Sequence, residues 1–299
     1  MKWKSTGRKQ KLKSNQIGNL LNNSFSIPAI RPVLFFLSLF CTLSLLAQPE
    51  QFSEYSYKPD KNYFKSYLSV TKKIVTGPAR WKAKEWIITG SVIAGGATLL
   101  IFDDEIRKFF QRNTNPTLDN ISKYVVEPWG SGLYPAIMFG SYYLYGLAAD
   151  NTRARQIALG GTQAFVMAAV TSQVLKHVFH RHRPSQNDPP DPYLWEGPFK
   201  GWNYTSFPSG HTTAAFAIAS FMQQVYRDKL WIGILSYTVA TGVGLSRVYD
   251  NVHWPSDVLI GAALGFGIGQ AVYNVMSNDS RLSMGVSSYG GISLTYSLR

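Results

Sequence analysis

Residues 208–225 read Pro-Ser-Gly-His-Thr-Thr-Ala-Ala-Phe-Ala-Ile-Ala-Ser-Phe-Met-Gln-Gln-Val. Behind the four-residue opening, Thr212–Val225 contains no charge, proline or glycine and does not alternate as a half-buried strand would, so it predicts a helix. Five more segments read the same way: Trp86–Phe102, Leu133–Ala149, Ile157–Leu175, Trp231–Leu245 and Val258–Met276. Six helices joined by loops predict an all-α fold, a six-helix bundle core. In the last segment Gly261, Gly265 and Gly269 are spaced GxxxG, a row that lets two helices approach closely in a membrane or in a soluble bundle. Beyond it, Leu282–Ser288 and Ile292–Leu298 flank Tyr289-Gly290-Gly291, the pattern of a short C-terminal β-hairpin within a tail spanning 277–299.

The connections alternate in character. Residues 103–132, 176–211 and 246–257 are long or polar and belong at one end of the bundle; residues 150–156 and 226–230 are short and belong at the other. The chemistry-bearing residues fall in the first kind. Lys176 is followed by Arg183-Pro184; Pro208-Ser209-Gly210-His211 opens the helix quoted above; Ser246-Arg247 is followed by His253 and Asp257. Lys176, Arg183 and Arg247 are three cations, and an arginine fork grips oxyanions in a bidentate way that a lysine point charge does not. Ser209 offers a hydroxyl, and the Ser209–His211 backbone precedes a helix N-terminus, a natural phosphate site. Histidine can accept a phosphoryl group covalently. Pro255 suits the first position of a helix, which puts Asp257 in its first turn near His253. Taken singly, each of these has a structural reading: a helix-end charge, a surface cation, a cap, a satisfied core histidine.

Taken together, the three clusters resemble the type 2 phosphatidic acid phosphatase family, relatives of bacterial acid phosphatases and vanadium-dependent haloperoxidases. All three motifs match without substitution, over about residues 86–276. The resemblance implies a helical core of the acid phosphatase/vanadium haloperoxidase type and hydrolysis of phosphate monoesters or pyrophosphates. It makes His253 the nucleophile, His211 the general acid and Asp257 the carboxylate that orients and stabilises the His253 ring. It makes Lys176, Arg183, Ser209, Gly210 and Arg247 phosphate-binding. It implies no metal and no cofactor. A lipid-linked phosphate is the first substrate class; a soluble periplasmic acid phosphatase of broad specificity, a haloperoxidase holding vanadate in the same pocket, and a non-enzymatic phosphate binder are the alternatives.

Charge and composition bound the rest. The formal net charge of +13 is partly local. Lys2, Lys4, Arg8, Lys9, Lys11, Lys13 and Arg31 lie in residues 1–47, which hold no acidic residue; setting those seven aside leaves 23 basic against 17 acidic residues, which needs no nucleic-acid partner to explain it. The basic stretch followed by apolar Val33–Ala47 reads as a signal peptide or an N-terminal anchor. Residues 48–85 read as a linker with a short helix. Cys41, the only cysteine, excludes an internal disulfide and a cysteine metal site. His177, His180 and His182 read as solvated or phosphate-side positions rather than metal ligands. Asp103 reads as water-facing, beside Arg107 one turn on. The aromatic-rich loop 185–207 reads equally as a lid, a lipid-contacting rim or a loop packed on itself. Arg153, Arg155, Arg227 and Lys229 lie opposite the site, so the positive-inside rule puts that end in the cytoplasm and the site outside, in a cell-envelope membrane. A cleaved signal followed by a spanning first helix would turn the site inward. Oligomeric state has no signature here.

Overall fold

A computed structural model describes residues 58–278, 282–286 and 292–296; the targeting segment expected at 1–47 lies outside them. The described chain is mostly helical. Helix α1 is Lys61–Thr76, α2 Ala83–Arg112, α3 Pro116–Ile121, α4 Glu127–Ser131, α5 Leu133–Ala148, α6 Thr152–Phe179, α7 Gly210–Val225, α8 Leu230–Tyr249 and α9 Pro255–Asn278. A short π-helical turn, Ser122–Val126, joins α3 to α4. Each of the six apolar segments falls on one helix, with Ala149 capping the end of α5. Leu282–Val286 (β1) and Ile292–Tyr296 (β2) pair antiparallel, with Met284 opposite Leu294; residues 287–291 lie outside the described residues.

Local chemistry sets several helix ends. The Asp60 side chain accepts the amides of Asn62 and Tyr63 and starts α1; Asn151 accepts the amide of Ala154 and starts α6. Pro255, whose missing N–H costs nothing at a first helical position, starts α9. Helix α2 does not end where the apolar run ends. It continues through Asp103 to Arg112, its last turns laced by Asp104 to Arg107 and Lys108, at 2.8 Å each. The segment 48–85 contributes more than a linker: α1 buries Tyr63 and Val70, and the Tyr63 hydroxyl donates to the Leu159 carbonyl of α6 at 3.1 Å.

Helix α7 is the centre, packed by α6, α8 and α9; α5 lies on α6, and α1 and α2 lie on α9. Its small residues, among them Ala214, Ala217 and Ala219, are fully buried. The Gly261, Gly265, Gly269 row of α9 meets α7 along this face. A Cβ at these positions would run into the carbonyl oxygens of Ser209, Thr213 and Ala217. Those are backbone atoms, which cannot swing aside. Gly265→Ala is therefore expected to force α7 and α9 apart and cost about 1–3 kcal/mol or more, read as a lower unfolding temperature in detergent. Gly267→Ala, which meets nothing within 4 Å, is the control that should leave it unchanged.

Among the described residues, three helices, Ala83–Arg112, Thr152–Phe179 and the Pro255–Ser277 stretch of α9, are long and apolar enough to cross a membrane. Helix α2 decides the environment. Its 30 residues span about 45 Å at about 1.5 Å per residue, more than a hydrocarbon core of about 30 Å. It leaves Trp86, Ile87, Ile88, Ile93, Ile101 and Phe102 exposed. An apolar surface that large and continuous is stable facing lipid.

Candidate active site

One cavity of about 340 Å³ opens at the end of the helices where the three motifs converge. Lys176, Arg183, Gly210, His211, Arg247 and His253 line it together. Each is placed by a helix end. Lys176 is in the last turn of α6 and Arg247 in the last turn of α8. The chain leaves α6 through His180 in a left-handed conformation (φ 42°), which redirects it towards Arg183. Gly210 and His211 open α7, with first-turn amides that have no partner within the helix. His253 occupies the tight connection between α8 and α9.

The cations are held by their neighbours. Thr205 serves two of them: its carbonyl accepts from Lys176 Nζ, and its Oγ1 accepts from Arg183 Nη2 at 3.3 Å. Arg247 donates to Asp250 at 2.7 Å and to Ser246 Oγ at 3.0 Å. Their charges are thus fixed in place before any anion arrives, which is the condition for electrostatic stabilisation without reorganisation.

Asp257 lies behind His253, fully buried rather than on the cavity wall. Its Oδ2 is 3.7 Å from His253 Nδ1, too long for a hydrogen bond, and accepts from Ser206 Oγ at 2.6 Å and the Trp254 amide at 2.9 Å. Its Oδ1 accepts from Arg181 Nη1 at 2.5 Å. Arg181 in turn bonds Asp103 at 2.6 Å and lies between the rings of Trp195 and Trp254. Asp103 also accepts from the Ser256 amide at 2.8 Å and from its hydroxyl. Asp103 is therefore not a water-facing partner of Arg107: it is completely buried, and Asp104 takes that surface role. Burial holds the His253 imidazole down to about 3; the Asp257 carboxylate opposes this and the Lys176 and Arg183 charges add to it. The ring is neutral at physiological pH.

His211 has a partner that its own motif does not contain. Its Nε2 is 3.0 Å from Glu127 Oε1, at the start of α4. Burial, then the Arg247 charge, lowers the His211 pKa; Glu127 pulls it back up. Helix α4 can come this close because Gly130 lies against the His211 side chain, with no room there for a Cβ.

Ser209, like Asp257, is an expected site residue that does not line the cavity. It is fully buried, its Oγ paired with Thr212 Oγ1 at 2.8 Å and its amide with the Asp257 carbonyl at 3.1 Å. The neighbouring histidines are structural. His180 Nε2 is 3.0 Å from the Gly201 carbonyl and His182 is bound by Asn187 and Glu196, so both fasten the loop that follows. They are buried rather than solvated.

The sequence profile of the PAP2 superfamily matches residues 159–281. The undecaprenyl-diphosphatase of Sulfolobus acidocaldarius is 30% identical over 177 residues, a match covering 58% of this chain and 78% of that protein. The chain belongs to the PAP2 superfamily. The lipid A 1-phosphatase of Porphyromonas gingivalis is 46% identical over 69 residues, which cover 23% of this PAP2 chain and 16% of that protein's length. The crystal structure of Aquifex aeolicus LpxE is 23% identical, with a TM-score of 0.41, over 57% of this chain and 94% of that one.

The matched region begins inside α6 and so includes all three motifs of this PAP2 protein. It leaves out Asp103 and Glu127, two of the residues the sequence reading missed. Arg181 lies inside the first motif but carried no separate signal.

Proposed function

We propose that this PAP2 protein is a phosphatase of lipid-linked phosphate monoesters or diphosphates that works through a phosphohistidine. One observation carries the reading: three fixed cations and two histidines from three separate motif segments line a single cavity. A phosphoryl group in transfer spreads charge over three equatorial oxygens, and Lys176, Arg183 and Arg247 match that charge without a metal. The neutral His253 ring attacks phosphorus as the ester P–O bond breaks, and His211 gives its proton to the departing oxygen. Asp257 stabilises the imidazolium so formed. Water then attacks the phosphohistidine with His211 as base; the N–P bond breaks and inorganic phosphate leaves. The amides of Gly210 and His211 add donors at the α7 N-terminus.

The relatives' names, lipid A 1-phosphatase and undecaprenyl-diphosphatase, and the lipid-facing α2 support a lipid-linked substrate. The six helices that carry the apolar segments form the core, with the site facing outward from a cell-envelope membrane. Purified protein should release phosphate from a lipid-linked phosphate in detergent faster than from a water-soluble phosphomonoester, and EDTA should not slow it. Preference for the soluble ester would remove the lipid assignment, and loss of activity in EDTA would remove the metal-free mechanism.

Glu127→Gln removes the group that raises the His211 pKa. If His211 must be protonated to act as acid, the alkaline limb of the kcat profile should move to lower pH. An unmoved limb would take Glu127 out of this role.

A further inference from the structure

The loop after α6 carries apolar rings that the catalytic account does not use. Phe199 is 95% exposed and Trp202 76% exposed, an unusual state for two large aromatic side chains six residues or fewer from fixed backbone. The loop is not loose. Arg181 and Trp195 form a β-bridge, the His182 amide donates to the Leu194 carbonyl at 3.1 Å, and the Glu196 amide donates to the His180 carbonyl at 3.1 Å. The Gly201 carbonyl, between the two exposed rings, is held by His180 Nε2 at 3.0 Å. Phe199 has a φ of 67°, a conformation costly for a bulky residue. The loop is pinned on both sides and strained at its tip, and the tip still presents its rings outward.

Their position along α6 gives them a surrounding. Val170, Val174 and Val178 are exposed at successive i, i+4 positions, an apolar stripe that runs to the end of the helix. The Trp202 ring packs edge-on against His177 in that last turn, with centroids 4.6 Å apart. Phe179, also in the last turn, meets Trp195 and Phe207. Helix α6 has 28 residues, about 42 Å at about 1.5 Å per residue, so about 6 Å at each end extends past a hydrocarbon core of about 30 Å. That depth is the lipid–water boundary, where tryptophan and aromatic rings concentrate. Lys200, half-exposed between the two rings and 3.6 Å from Glu196, has a stem long enough to carry its ammonium from that pair towards the headgroups.

We infer that the Glu196–Tyr204 loop is an interfacial anchor, with Phe199 and Trp202 seated in the headgroup–acyl boundary of the bilayer that α6 crosses. It holds the mouth of the cavity at the depth where a lipid's phosphate lies. The inference rests on the membrane-spanning reading of α6 and not on the phosphatase chemistry.

The test is fluorescence of the full chain reconstituted in phosphatidylcholine vesicles, with the spectrum of Trp202→Phe subtracted to isolate Trp202. Flotation with the vesicles first establishes that the protein spans or binds them, independently of any activity. The expected Trp202 signal is blue-shifted, and is quenched more by lipids brominated near the headgroup than by lipids brominated near the chain end. A Trp202 signal open to aqueous acrylamide and unquenched by either brominated lipid, in protein that floats, would overturn the inference. As a second reading, Phe199→Ser with Trp202→Ser should slow hydrolysis of a vesicle-embedded lipid phosphate while leaving that of a soluble phosphomonoester unchanged. An equal loss on both substrates would mean the loop supports the fold rather than the membrane contact.

Discussion

His253→Gln is expected to reduce turnover by at least about a thousandfold while leaving the fold intact, because on the proposed mechanism the variant keeps the side-chain volume but has no ring nitrogen to form the N–P bond. Circular dichroism and elution volume should match the parent. The same variant should change acid stability in a fixed direction. In the folded chain His253 is held down to about 3, while in the unfolded chain it titrates near its ordinary 6.5. Above 6.5 both states carry a neutral ring and the residue has no effect. Between 6.5 and about 3 the unfolded state binds a proton that the folded state does not, so stability falls as pH falls, by up to about 1.4 kcal/mol per pH unit from this group. Glutamine has no such proton, and the variant should lose stability less steeply across that window. Parallel acid-unfolding curves for the two proteins would contradict the burial account, and near-parental turnover would remove His253 from the nucleophilic role.

Arg181→Met should be the most damaging substitution outside the cavity. Arg181 is the cation between two fully buried carboxylates, Asp103 and Asp257, which lie on different helices. Removing it leaves both without their charge partner, and breaking a buried pair from one side costs about 3–5 kcal/mol. That is a large share of the about 5–15 kcal/mol that typically separates folded from unfolded protein. It also releases Oδ1 of Asp257, so the carboxylate behind His253 loses one of its fixed bearings and turnover should fall with stability. Arg181→Lys keeps the charge but has no planar fork to reach both acids, and should lie between the two. The unfolding temperature in detergent, measured beside turnover, checks this; an Arg181→Met protein as stable as the parent would mean that the pair contributes nothing net.

The contrast between these two residues shows what a sequence can disclose. His253, Lys176 and Arg247 are legible as candidates because they lie in short clusters that resemble a known family's motifs, and a motif within a short segment can be read in one dimension. The helices were legible because each apolar run exceeds the length of any strand. Asp103 was not: beside Asp104, Glu105, Arg107 and Lys108 it looks like one more surface charge, and its true partner Arg181 is 78 residues away. Glu127 is 84 residues from His211 and belongs to a five-residue helix with no periodicity to mark it. Ser209 is the opposite case. Its motif position was plain, but the hydroxyl's choice between the cavity and Thr212 depends on packing against α9, which spacing does not encode. Helix α2 extends beyond its apolar run because its last turns are held by ion pairs, which apolarity does not mark.

The central claim is a covalent N–P bond at one imidazole. Rapid acid-free quenching of the protein during turnover of a radiolabelled phosphate ester, followed by digestion and mass spectrometry, tests it directly. The expected result is an alkali-stable, acid-labile phosphoryl group on His253, formed and lost at rates compatible with turnover and missing from His253→Gln. Full turnover with the label on another residue, or with no labelled histidine at any time, would contradict it.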